Sequence, residues 1–111
     1  MEKAQMDKEA RGSFLFIHLL HSFENAALIG LGKLPGSKGE CSIELESAAF
    51  SIDMLDMIKT RTEGNLKQEE NQYLERMLGD LKLNYLTEME KHKKHTKNEG
   101  AKPEEEKTEK T

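Results

Sequence analysis

Two scarcities set the first limits on this chain. Cys41 is the one cysteine among 111 residues, so no intrachain disulfide can form and the thiol fits a reducing compartment. An excess of charge is lacking too: 17 Lys and Arg face 21 Asp and Glu, and the formal net charge of −4 gives no electrostatic case for binding nucleic acid or anionic lipid. Nor is any apolar run long enough for a bilayer. The run FLFIHLL, Phe14 to Leu20, is interrupted by His18 and followed by His21, Glu24 and Asn25. A crossing needs roughly 20 mainly apolar residues. The same run does not read as a secretion signal, because Glu2, Asp7 and Glu9 precede it and no small-residue cleavage site follows. Internal repeats, strand-like alternation and a sustained heptad are absent. The expectation is a soluble cytoplasmic protein of one domain.

What the chain does have is charge at its ends and apolar periodicity between them. Charged residues make up 34% of the whole and gather at the termini, so the middle is richer in apolar residues than the 35% average implies. Residues 1–12 read as a flexible N-terminal arm. Ser13 reads as an N-cap for a helix from about Phe14 to Leu31, stopped by Gly32. Phe16, Leu19, Leu20, Phe23, Ala27 and Leu31 recur at three- and four-residue steps. Phe14, Leu15, Ile17, Ala26, Leu28 and Ile29 cover much of the remaining circumference, leaving a narrow polar stripe of His18, His21, Ser22 and Asn25.

A loop punctuated by Pro35, Gly36 and Gly39 separates this helix from a second, expected from about Glu44 to Glu63 with Ser42 as N-cap. Leu45, Ala48, Ala49, Ile52 and Leu55 form one face of it. Phe50, Met54, Met57 and Ile58 form another. A third helix is expected to open at Lys67 or Gln68 and run to about His92. Its stripe takes in Tyr73 or Leu74, Met77 or Leu78, Leu81, Tyr85 and Met89, with Gly79 as a candidate close crossing. The tail, 93–111, is too charged to offset its ordering entropy and reads as disordered. The fold expected is therefore all-α: a three-helix domain over 13–92 with disordered N- and C-terminal tails.

The corner between the second and third helices is the most specific local signal. Lys59 and Arg61 suit the last turn of a helix, and Gly64 reads as the C′ residue that takes φ > 0 without a Cβ penalty. Asn65 tolerates irregular backbone, and Leu66 can clamp the turn. This run, Arg61, Thr62, Gly64, Asn65 and Leu66 in the pattern R-T-x-G-N-L, resembles a motif of the small bacterial domain of unknown function 1844 family. Leu31, Gly32 and Pro35 fit that family's L-G and proline-containing loop. Ile52, Asp53 and Leu55 fit its I-D-x-L motif, and Glu69, Glu70 and Tyr85 fit its following helix. The family tends to place threonine or serine after G-N-L, a good N-cap three residues before glutamate, whereas this chain has Lys67. The resemblance spans roughly Phe14 to Met89, implies a short all-helical bacterial protein and brings no activity with it.

Candidate chemistry is thin. His18 and His21, three apart on a helix, could join Cys41 of the next loop as zinc ligands with water or Glu24 as a fourth, which would make this a metal-binding protein or a metal-dependent enzyme; the plainer reading is a polar stripe that hydrogen-bonds or faces solvent. His92 and His95 repeat the spacing among lysines. Asp53 and Asp56 share one side of the second helix, as acid–base carboxylates can, but no nucleophile or oxyanion site accompanies them. The basic run from Lys91 to Lys97 lacks interleaved aromatics and is followed by Glu104 to Glu106, so it reads as a solvated tail rather than an RNA contact. No cofactor and no catalytic residue is expected. The first and second helices have more apolar surface than one neighbour covers, which points to a non-enzymatic interaction or scaffold protein: a homo-oligomer with a seam at Phe16, Leu20, Phe23 and Ala27, where Ala26, Ala27 and Gly30 allow close approach of a second copy, or a contact with another protein.

Overall fold

The structure, a computed structural model, describes residues 7–98. Three helices account for most of them: α1 (Lys8–Gly30), α2 (Leu45–Arg61) and α3 (Gln68–Asn98). The expected three-helix, all-α unit is thus present, with two differences at its ends. α1 begins before Ser13, because Asp7 caps it: the Asp7 carboxylate accepts a hydrogen bond from the Ala10 N–H at 2.7 Å, and Glu9 adds negative charge to the first turn. α3 continues past His92 to Asn98, carrying residues 93–98 of the expected tail. Residues 1–6 and 99–111, the rest of the two expected tails, lie outside the described residues.

α1 ends as the glycine signal implies. Leu31 is the cap, Gly32 follows with φ 77°, and its N–H reaches the Ile29 carbonyl at 3.0 Å while the Lys33 N–H reaches Leu28 at 2.8 Å. This pair of bonds is a Schellman closure, which satisfies carbonyls the helix itself cannot. The loop after it is pinned rather than loose. An isolated antiparallel bridge joins Leu31 to Ile43, and the Glu44 N–H donates to the Gly30 carbonyl at 2.7 Å. That bridge starts α2 at Leu45 without a side-chain cap, so Ser42 does not have its expected role; Glu44 occupies the cap position.

α1 and α2 meet most closely where Gly30 crosses Ala48. A Cβ on Gly30 would lie 2.8 Å from the Ala48 backbone nitrogen. The close crossing expected at Gly79 is not there, since nothing comes within 4 Å of a Cβ at that position. The core collects Leu20, Ala27 and Leu31 from the first helix and its cap, Ala48, Ile52 and Leu55 from α2, and Leu74, Met77, Leu78 and Leu81 from α3. Each contribution follows a helical step, as burial of one stripe per helix requires. Leu19, assigned from periodicity to the buried face of α1, is exposed.

At the second corner α2 gives way to its cap one residue earlier than expected. Thr62 is the cap, and its hydroxyl donates to the Ile58 carbonyl at 2.7 Å. Gly64 therefore sits one position beyond C′. It still takes φ 85°, at the third position of a turn closed by the Asn65 N–H on the Thr62 carbonyl at 2.9 Å. Arg61 and Asn65 are exposed, and Leu66 is half-buried against the core.

Candidate functional site

Polar side chains strap α3 onto the other two helices. At the α3 start, the Glu70 carboxylate accepts the Lys67 N–H at 2.9 Å through Oε1 and the Ser13 hydroxyl through Oε2. The first bond is the returning half of a capping box, whose other half Lys67, with no side-chain acceptor, cannot supply; separately, Ser13 of α1 donates to the glutamate's second oxygen. The Ser13 bond, then the Lys67 N–H, hold the Glu70 carboxyl below its ordinary value.

Further along, the Tyr73 hydroxyl lies 3.0 Å from His21 Nε2 and 3.4 Å from Glu24 Oε1, and His21 Nδ1 lies 3.3 Å from the same Glu24 oxygen. A neutral His21 protonated at Nδ1 can donate to Glu24 while Tyr73 donates to Nε2. Burial, then the charge of Glu24, raise the Tyr73 pKa, so the phenol keeps its proton at neutral pH and is no base. This is a strap between α1 and α3, not a reactive centre. A second strap uses Glu88, which is 5% exposed and accepts from Lys33 at 3.4 Å and from Lys91 at 3.5 Å. Periodicity does carry a signal for it: positions 74, 81 and 88 fall on one side of α3, so a glutamate stands in phase with two buried leucines.

The metal reading does not hold together. His18 stacks on Phe14 with ring centroids 6.1 Å apart, His21 turns to Tyr73, and Cys41 is exposed in the loop. Among the described residues no group of three or more His, Cys, Asp or Glu could hold an ion. The three candidates fail because one helical step separates the two histidines into different surroundings. Asp56 is likewise taken up by Lys82, at 3.0 Å, while Asp53 is exposed.

What is left open is apolar. Ion pairs Asp56–Lys82 and Lys59–Glu75 mark the side of α2 that faces α3, and the Ser13, His21 and Glu24 contacts mark the corresponding side of α1. Counting 100° per residue, Leu15, Leu19 and Ala26 of α1 and Phe50, Met54 and Met57 of α2 fall on the other side of the α1–α2 pair. Leu15, Leu19, Phe50 and Met57 are exposed, Phe50 by 64%. Of the seam residues expected from sequence, Leu20 and Ala27 are fully buried within this chain, and Phe16 and Phe23 are half-buried beneath the open face. Leu15 and Phe50 were not among them. A smaller patch, Leu83 and Leu86, lies on the solvent side of α3, which periodicity had credited with one stripe only.

Among the described residues no helix is long and apolar enough to cross a membrane. No curated protein matches the chain, and no solved structure does. The family model described as Domain of unknown function (DUF1844) matches residues 13–87, from the Ser13 strap to Thr87 beside the Glu88 strap, and the chain belongs to that family.

Proposed function

We propose that this protein is a non-enzymatic interaction module that associates with itself through the side of α1 and α2 turned away from α3. The observation that carries the reading is the exposure of Leu15, Leu19, Phe50 and Met57 along that side, with Phe16 and Phe23 half-buried beside them. Exposed apolar patches of this kind mark interaction surfaces on soluble proteins. A reducing, cytoplasmic and bacterial setting belongs to the same reading, supported by the single exposed thiol of Cys41 and by the family's character.

Light scattering at micromolar concentration is expected to report at least twice the 12.7 kDa chain mass. Phe50→Glu is the informative variant, because its side chain is exposed and the fold does not depend on it. It is expected to return the mass to that of a monomer with helical circular dichroism unchanged. A wild-type protein that stays monomeric would remove the self-association reading.

A further inference from the structure

The open face is not electrically uniform along its length, and this asymmetry determines how two copies can meet. At one end, where α1 begins and α2 ends, stand Lys8, Arg11 and Arg61. Of the acids nearby, Glu9 is drawn to Lys67 at 3.8 Å, Asp7 caps α1 by accepting the Ala10 N–H, and Glu63 stands two residues past Arg61. At the other end, where α2 begins, Glu44 and Glu46 line a shallow recess together with Phe50. Among the described residues Arg61, Glu44 and Glu46 enter no ion pair. One apolar surface therefore carries a basic end and an acidic end, both unspent.

We propose that a second copy of this chain docks on this face about a two-fold axis that runs across the helices at the level of Met54, so that the Arg61 end of each copy covers the Glu46 recess of the other. The inference rests on the self-association reading above and adds its geometry. Two stacked faces can be related by a two-fold axis lying in the plane between them, whose limiting directions are along the helices and across them. An axis along the helices lays basic end on basic end and acidic on acidic. An axis across them reverses the direction, and opposite charges meet. Asp53 and Met54 lie midway between Glu46 and Arg61 in α2, which is where such an axis must pass for the two to coincide. Near that level Ser22 and Ala26 present small side chains on α1, permitting close approach.

The size is adequate. The 23 residues of α1 span about 34 Å at 1.5 Å per residue. The 17 residues of α2 span about 25 Å beside it. With neighbouring helices about 10 Å apart, the face offers about 600 Å², toward the lower end of the roughly 600–1,000 Å² per partner of standard interfaces. Apolar contact supplies the affinity, and the two charged ends select the orientation.

Charge reversal reads out the axis. Arg61→Glu and Glu46→Lys each turn two attractive pairs into repulsive ones, and each is expected to weaken the dimer about tenfold at low salt. The double variant Arg61→Glu, Glu46→Lys recreates the attraction with signs exchanged and is expected to dimerise like the wild type. High salt should bring all four proteins together, since exposed charges are screened. Sedimentation equilibrium measures the constants, and circular dichroism verifies that the exposed substitutions leave the fold intact. A wild-type dimer indifferent to both single reversals would overturn the crosswise axis while leaving self-association standing. A wild-type monomer would overturn both.

Discussion

The seam between α1 and α2 and the seams that α3 makes are built on opposite principles. The first is dry and close: Gly30 lies against Ala48, and Leu20, Ala27, Ile52 and Leu55 fill the space beside it. The α3 seams keep a buried apolar strip but are edged with polar straps, Ser13–Glu70, His21–Glu24–Tyr73, Asp56–Lys82 and Lys33–Glu88. Close packing tolerates no added volume, whereas the more exposed of these polar pairs, such as Asp56–Lys82, contribute little each and adapt. The α1–α2 pair is therefore the closer-packed seam, and α3 completes the core while being strapped along its edges. That leaves the far side of the α1–α2 pair free to meet something else.

The comparison is broken most forcefully at Gly30. Gly30→Val places carbon where the Ala48 backbone stands and is expected to destabilise by about 3 kcal/mol through overpacking. Urea unfolding measures it; a variant as stable as wild type would show that the seam can open without cost. Gly64 probes the turn that leads into α3. With φ 85° and nothing within 4 Å of a Cβ, Gly64→Val carries only the backbone penalty, about 1–2 kcal/mol, visible as a lower melting midpoint.

The Glu70 strap gives a smaller, pH-dependent effect. Ser13→Ala removes one hydrogen bond to a partly buried carboxylate and is expected to cost about 1 kcal/mol near neutrality. Because the folded state holds the Glu70 pKa below its unfolded value, its contribution is complete above about pH 4.3 and is lost as pH falls through the lower folded value. The difference between wild type and Glu70→Gln, followed by denaturation at successive pH values, should shrink across that acidic range. A constant difference would mean the strap does not respond to protonation. Gly79 lies at the mild end. It faces open space inside α3, so Gly79→Ala is expected to stabilise by up to about 1 kcal/mol, the opposite sign to Gly30.

Those two glycines show where sequence reading succeeds and where it stops. Both stand in helical stretches, and periodicity alone offered Gly79 as the crossing point. The contact fell at Gly30 because α2 reaches α1 next to the Leu31–Ile43 bridge, a pairing across a loop that no helical period encodes. The corner at Thr62 to Leu66 was legible because a positive φ leaves a local mark in the residue type. The start of α1 was misplaced to Ser13, a good capping residue, because Asp7 is an equally good one and Ser13's hydroxyl is engaged by Glu70, 57 residues away. The open face was half legible. Surplus apolar residues on α1 and α2 announced it, but Leu20 and Ala27 were placed on it when they belong to the core.

By itself, then, the sequence determined the number of helices, their approximate ends, the glycine turns and the existence of more apolar surface than three helices can hide. Each of these depends on residues a few positions apart, whose relation a single helix or turn enforces. Only the tertiary structure decided which apolar stripe faces inward, which polar groups become straps and which glycine carries a crossing. Those outcomes depend on where two other helices lie. That arrangement also turned His21 to Tyr73 and left the side of α1 and α2 that carries Leu15, Leu19, Phe50 and Met57 uncovered.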